Sequence, residues 1–298
     1  MQLQRKTAVI YLLGNPTMDR IRVGKQNVRC YGGTVLYAGR FLVRMNWAAS
    51  VVGKGSLEQR RYLEQLGIQT RHFRIFTPAT RFENRYVHTQ RIQWARAGAA
   101  ITLEDIPREA YTARAILAGP VLGELNPKIV TVPRTARMLV DMQGFLRRLD
   151  SNGRVYLESG RPAETAAAHA DILKLDRAEA EAMVGSADDL PKAAERLHAL
   201  GAGCVLITCG RDGAFVSNGS SRYWLPAPRV EVVDSTGAGD VFGAAFLVKS
   251  LESGGTLLES GRFAAAAAAL STRATGTEAV PGRGAIAALL QSHNDPLA

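Results

Sequence analysis

The sequence predicts an α/β fold: a doubly wound, mostly parallel sheet flanked by helices, with a small β lid. Three observations predict it. After about residue 100, short apolar runs alternate with helical segments: Ala115-Ile116-Leu117, Met138-Leu139-Val140, Ile172-Leu173-Lys174 and Val205-Leu206-Ile207. Such runs read as strands buried on both faces, the pattern of a parallel sheet covered by helices. Two other stretches, near 17–31 and 69–96, alternate apolar and polar residues (Ile21, Val23, Val28, Cys30; then Phe73, Ile75, Phe82, Asn84, Tyr86). Period two with polar partners fits a sheet with one wet face, and the two stretches are expected to meet as the lid. Lastly, a β-branched run at Val230-Glu231-Val232-Val233 meets Asp234-Ser235-Thr236-Gly237-Ala238-Gly239-Asp240. A helix-like apolar pattern follows (Val241, Phe242, Ala245, Phe246, Val248).

In chain order, residues 8–14 read as the first core strand, turned by Asn15-Pro16. The opening Arg5-Lys6 followed by apolar residues has the outline of a leader. Its apolar part is short and runs into Gly14-Asn15-Pro16 without a small-residue cleavage pattern, so a buried strand is expected. Gly32-Gly33 opens a helix through about Arg44, residues 48–53 read as strand, and a helix at Leu57 to Leu66 is stopped by Gly67. The alanine run 264–269 suits a helix packed closely on a neighbour. At 298 residues the chain can bury a full core. One domain over 1–298 is expected, with lid segments at about 17–31 and 69–96.

Composition narrows the function classes. Hydrophobic residues at 46% and charged residues at 21% are ordinary for a globular protein, and no apolar run approaches membrane-spanning length. Cys30, Cys204 and Cys209 lack metal-ligand spacing and read as reduced thiols of a cytoplasmic protein. The net charge of +10 is uneven, since residues 1–100 hold 17 Lys or Arg against 4 Asp or Glu. Arginines interleaved with Phe82, Tyr86 and Trp94 raise the question of nucleic acid, but no nucleic-acid motif accompanies them. A solvated basic face, or a field that draws in an anionic substrate, is the expectation instead.

The chemistry concentrates at 234–240. Glycines 237 and 239 let backbone N–H groups turn inward, and the following helix adds its positive end, which makes an anion site. A carboxylate there repels a resting phosphate unless it has a task, and the natural task is taking a proton from a hydroxyl that attacks a phosphoryl group. A dinucleotide-binding turn at Gly237-x-Gly239-x-x-x-Gly243 is the rival reading. It lies near the C-terminal end instead of in a first βαβ unit, and no acidic residue closes a strand about 20 residues on, where a ribose partner is expected. The plain alternative makes Asp240 a first-turn acid favoured by the helix dipole.

Asp234-Ser-Thr-Gly-Ala-Gly-Asp240 resembles the D-T-x-G-A-G-D signature of the ribokinase-like (PfkB) carbohydrate kinase family, and four more motifs follow in family order. Gly14-Asn15-Pro16-Thr17-Met18-Asp19 resembles its opening G-x-x-x-x-D, and Gly32-Gly33-Thr34-Val35-Leu36-Tyr37-Ala38 its G-G-x-x-x-N-A. Lys174-Leu175-Asp176-Arg177-Ala178-Glu179 resembles its N-x-x-E, and Thr208-Cys209-Gly210-Arg211-Asp212-Gly213 its T-x-G-x-x-G. The resemblance implies Asp240 as general base, with the N–H groups of Gly237, Ala238 and Gly239 as an anion hole. It implies Thr208, Gly210, Gly213 and Ser235 on the nucleotide side, and Glu179 acting on Mg²⁺ through water. Asp176 stands where the family has Asn and adds an acceptor near the metal.

On the acceptor side the resemblance implies Asp19, with Asn15 and Gly33 beside it. Tyr37 replaces an amide by a bulky ring, which argues against plain ribose. Asp141-Met142-Gln143-Gly144, with Gly119-Pro120-Val121 and Tyr37, resembles the inositol-kinase-like branch and brings in Gln143. The resulting expectation is an ATP- and Mg²⁺-dependent kinase of a neutral sugar or polyol, inositol-like favoured. A monovalent cation such as K⁺ is a further candidate cofactor, and the unpaired edges of a small exposed lid sheet suggest a homodimer through the lid. A nucleoside, ribose or anionic sugar as acceptor, a member that only binds nucleotide, and an NAD-type oxidoreductase are the alternatives weighed.

Overall fold

The computed structural model describes residues 8–23, 26–87, 90–252 and 255–292; the basic opening Arg5-Lys6 and lid positions 24–25 and 88–89 lie outside them. The central sheet runs in the order β15-β14-β13-β12-β9-β8-β1-β4-β5 among the described residues. Its strands are β1 (Val9–Leu13), β4 (Ala48–Gly55), β5 (Gln69–Ile75), β8 (Ala115–Ala118), β9 (Arg137–Asp141), β12 (Ile172–Asp176), β13 (Val205–Thr208), β14 (Gly213–Ser217) and β15 (Arg222–Pro226). From β13 through β5 neighbouring strands are parallel, and β14 and β15 add an antiparallel edge.

The apolar runs are strands because both of their faces are covered. In β1, Ile10 and Leu12 enter one core and Tyr11 and Leu13 the other. The first core is closed by α1 (Thr34–Arg44), α2 (Leu57–Gln65), α7 (Ala238–Leu251), α8 (Leu257–Ser271) and α9 (Arg283–Ser292). The second is closed by α4 (Arg161–Ala168), α5 (Arg177–Val184) and α6 (Leu190–Ala199) beyond the short α3 (Gln143–Leu146). The alanine run lies in α8, with Ala264, Ala266 and Ala267 fully buried; small side chains let the helix approach closely.

The lid is a four-stranded sheet, β3-β2-β6-β7, built from β2 (Thr17–Val23), β3 (Gln26–Gly32), β6 (Arg81–Val87) and β7 (Gln90–Arg96). The second lid segment therefore begins at Arg81, where 69 was expected. Residues 69–75 are β5, which pairs in parallel with β4 at the edge of the central sheet. Thr70 and Phe73 are buried there, so the alternation reported an edge strand with one covered face. The β-branched run at 230–233 does not follow its β propensity. It forms no strand; Val232 and Val233 are 61% and 59% exposed. No neighbouring strand is there to pair with it, and its main chain instead bonds to the end of α8: Val233 and Asp234 N–H both donate to the Thr272 carbonyl (2.8 and 3.0 Å).

Candidate active site

The carboxyl ends of β12 and β13, with Gln143 just beyond β9 and Thr17 beyond the turn after β1, line a cavity of about 980 Å³, bounded by the lid on one side and the head of α7 on the other. β1 lies between β8 and β4, where chain order reverses, the place where open α/β sheets leave a crevice. Asp141, Asp176 and Thr208 are the last residues of β9, β12 and β13. The strand-end position therefore brings together side chains far apart in sequence.

The head of α7 is shaped by backbone. Gly237 adopts a left-handed conformation (φ 81°) and precedes the first helical residue. A Cβ on Gly237 would lie 2.3 Å from the Tyr37 ring, so both conformation and close packing require glycine here. The Asp234 carboxylate accepts from Thr236 N–H (2.9 Å) and fixes the turn. Ala238 N–H donates to the Ser235 carbonyl (3.2 Å), so of the three N–H groups expected in the anion hole this one already has a partner inside the loop. No side chain caps α7, which leaves the positive end of the helix directed at the cavity.

Asp240 stands in the first turn of α7, lining the cavity. Gln143 Nε2 donates to its Oδ1 (3.3 Å) and to Thr34 Oγ1 (2.6 Å), tying the acid to α1 and α3. Beneath it, Lys174 Nζ pairs with Asp141 Oδ2 at 2.9 Å, both residues buried. A side chain at Gly239 would come within 3.1 Å of the same ammonium. Burial alone would lower the Lys174 ammonium, but Asp141, Glu179 and Asp240 outweigh it and raise it, so the lysine is charged. Burial, then the charge of Asp141, pushes Asp240 up to about 6, against the pull of Lys174, the Thr34 hydroxyl and Arg147. Glu179 rises to about 7, by burial first and Asp176 next. The arrangement can hold an anion at the helix head and accept a proton beside it.

Most residues expected in the site meet here. Asp19, Gly33, Tyr37, Gln143, Asp176, Glu179, Thr208, Gly210, Gly213, Ser235, Gly237, Ala238, Gly239 and Asp240 all line the cavity. Asn15 is the exception. It is fully buried outside the cavity, its Nδ2 donating to the Ala99 carbonyl (2.7 Å) and its Oδ1 accepting from Lys54 N–H (2.7 Å). Both ends of the amide are spent on backbone, so it braces the turn after β1. Asp176 and Glu179 have a local duty as well: each carboxylate accepts from the other's N–H at 2.8 Å, a reciprocal cap at the start of α5. Residues 208–213 are a hairpin turn, joining β13 to the antiparallel β14, and they still line the cavity.

Lys174, Asp141, Thr34 and Arg147 were given no role from sequence, although the first three lie within the motifs quoted above. One signal was present for Lys174: a charged residue inside the apolar strand Ile172-Leu173-Lys174-Leu175, where an unpaired ammonium would be costly. Gly144 explains why the 119–121 and 141–144 stretches go together, since a Cβ on it would meet the Pro120 carbonyl carbon at 2.3 Å.

The architecture is the ribokinase-like α/β fold. Residues 146–281 of the chain match the pfkB family of carbohydrate kinases. Its structure is similar to a pyrophosphate-dependent kinase in the ribokinase family complexed with a pyrophosphate analog and myo-inositol (TM-score 0.82, 24% identity, covering 94% of this chain and 99% of that one). It is also similar to Arabidopsis thaliana ribokinase complexed with ribose and ATP (TM-score 0.77, 20% identity, covering 95% and 99%). By sequence, a cytidine kinase of Thermococcus kodakarensis is 31% identical over 144 residues, 48% of this chain and 49% of that protein. Arabidopsis thaliana ribokinase is 34% identical over 128 residues, 41% of this chain and 34% of that protein. The matched parts thus span about half or less of the length of these relatives. Among the described residues no helix is long and apolar enough to cross a membrane.

Proposed function

We propose that the chain transfers the γ-phosphoryl group of ATP to a hydroxyl of a small neutral sugar or polyol, inositol-like acceptors favoured. The observation that carries the reading is the Asp240 carboxylate at the uncapped head of α7, inside the cavity and held by Gln143. Asp240 takes the proton of the attacking hydroxyl, and Gln143 holds the carboxylate in position. The loop N–H groups and the helix end stabilise charge on the transferring group, with Lys174 adding a fixed positive charge below Gly239. Asp19, projecting from the lid, accepts hydrogen bonds from acceptor hydroxyls, and closure of the lid excludes water.

Glu179 and Asp176 fit a hydrated Mg²⁺ carried in with the nucleotide. The Glu179 carboxyl is buried at the cavity wall, raised in pKa by burial and then by the Asp176 charge, against the pull of Lys174 and Arg147, and no cluster of three metal-binding side chains exists among the described residues. When bound, the ion would neutralise charge on the donor phosphates. The donor end beyond Thr208 is lined by Pro228, Val230, Val232, Ala265, Ala268 and Ala269. Small apolar side chains leave a slot for a flat base, which favours ATP over pyrophosphate.

A neutral acceptor fits the lid. Its inner face offers Thr17, Asp19, Ile21, Phe82, Asn84 and Gln93, with Gln93 Nε2 donating to Asn84 Oδ1 (2.7 Å). By register, Arg20, Arg22, Arg29, Arg81, Arg85 and Arg96 are on the opposite face. An ADP-release assay with Mg²⁺, across myo-inositol, ribose, cytidine and phosphorylated or carboxylated sugars, tests the reading, with pyrophosphate as rival donor and K⁺ present or absent. Turnover of neutral acceptors with ATP is expected. Turnover confined to anionic sugars, or to pyrophosphate, would overturn it. Asp19→Ala should raise the acceptor KM far more than the ATP KM; equal effects on both would remove Asp19 from the acceptor.

Because Asp240 acts as base only when ionised, kcat/KM should be level above pH 6 and fall as pH drops through about 6, where this carboxyl protonates. A profile unchanged down to pH 5 would exclude the assignment. The same shift has a stability consequence with a definite sign. A carboxyl raised from 3.8 to about 6 binds more protons in the folded state, so its contribution worsens as pH rises through that window.

A further inference from the structure

The outer face of the lid breaks a local rule twice. Arg20 on β2 lies directly opposite Arg29 on β3, and Arg81 on β6 directly opposite Arg96 on β7. Like charges directly opposite on neighbouring strands destabilise a sheet. The two pairs sit close together, since Met18 pairs with Arg81 and Arg20 with Glu83 across the β2–β6 seam. Glu83 does not relieve them, because it is taken by Arg22 (3.2 Å) and Arg85 (2.8 Å). None of Arg20, Arg29, Arg81 and Arg96 has an ion-pair partner among the described residues. Where a sequence breaks a local rule without local gain, a functional site is the expected reason.

All four arginines line one concavity of about 340 Å³, together with Met18 and Trp94. Arg85 lies over the Trp94 ring at 4.7 Å. Its acids are the committed Glu83 and Asp19, and Asp19 also lines the main cavity. We propose that this concavity is a second site, binding a small molecule with two or more phosphate groups clamped between the two arginine pairs. Guanidinium groups present paired donors that match phosphate oxygens. The small volume suits a compact ligand, where nucleic acid needs an extended basic track. A second copy of the same face would add like charge to like charge.

The site has a route to the acceptor cavity. Arg20 and Arg29 belong to one strand pair and Arg81 and Arg96 to the other, so a bound anion bridges the two halves of the lid. Asp19 and Phe82, neighbours in the same strands, line the acceptor cavity. Bridging therefore restrains the residues that meet the acceptor.

The test is amide hydrogen exchange of the full chain with inorganic tripolyphosphate. Slower exchange is expected in β2, β3, β6 and β7 of the wild type, weakened at least tenfold in apparent affinity in Arg29→Gln/Arg96→Gln. Any protection of residues 236–240 at the donor loop should persist in that variant, which separates the two anion sites. Free of ligand, the variant should melt no lower than the wild type, because repulsion is relieved. If it melts lower, Arg29→Lys/Arg96→Lys keeps the charge, and retained lid protection there would support the site. Absent lid protection in the wild type, or protection unchanged in the glutamine variant, would overturn it. So would stronger lid protection by a short oligonucleotide at equal phosphate concentration.

Discussion

Asp240→Asn is expected to lower turnover by about 10²–10⁴-fold, the usual cost of losing one acid–base group, while donor binding stays near wild type. The substitution keeps the size and the hydrogen-bonding reach of the side chain, so the head of α7 and the Gln143 bridge have no reason to move. The measurement is a steady-state rate beside a nucleotide titration by calorimetry. Retention of a tenth or more of the wild-type rate would show that another group takes the proton. Loss of donor binding in parallel would mean that the acid shapes the anion site instead.

Lys174→Met should be the most destabilising of the substitutions considered. Its ammonium is the buried counter-charge to Asp141 at 2.9 Å and lies amid the fields of Glu179 and Asp240. Removing one partner of a buried pair leaves an uncompensated charge and costs about 3–5 kcal/mol. Asp141→Asn added to Lys174→Met should recover part of the loss, because it removes the orphaned carboxylate. The pH dependence has a fixed sign. Without the lysine the remaining carboxyls rise further in the folded state, so the folded chain binds more protons than the unfolded one and stability falls as pH rises. The deficit in Tm should thus be larger at pH 8 than at pH 5.5. A single variant as stable as wild type at pH 8 would mean that the carboxyls have water or another cation as partner.

The lid illustrates how sequence pattern and tertiary structure divide the information. Period-two alternation correctly marks 17–31 and 81–96 as strands, yet the same alternation at 69–75 belongs to the edge of the central sheet. Alternation reports that one face of a strand is covered; it carries nothing about which sheet covers it. The basic third of the chain behaves likewise. Its charge is plain in the sequence, and only the register of β2, β3, β6 and β7 sends Arg20, Arg29, Arg81 and Arg96 away from the acceptor cavity.

By itself, the sequence determined what depends on neighbours a few residues apart. It specified the apolar strands of the sheet, the start of α7 after Gly237, and Asp240 as an acid at a helix head. Periodicity, glycine conformation and helix polarity are local properties, so they can be read along the chain. The tertiary structure alone decided what each side chain meets. Asn15 was expected at the substrate and is consumed by Ala99 and Lys54 backbone. Gln143 reaches Asp240 and Thr34 across separations of 97 and 109 residues. Lys174, an anomaly in its strand, becomes intelligible once Asp141 ends the neighbouring strand β9 and the α7 loop settles above it. Hydrogen bonds and ion pairs select partners by distance in space, and parallel strands joined by long crossovers put those partners far apart in sequence.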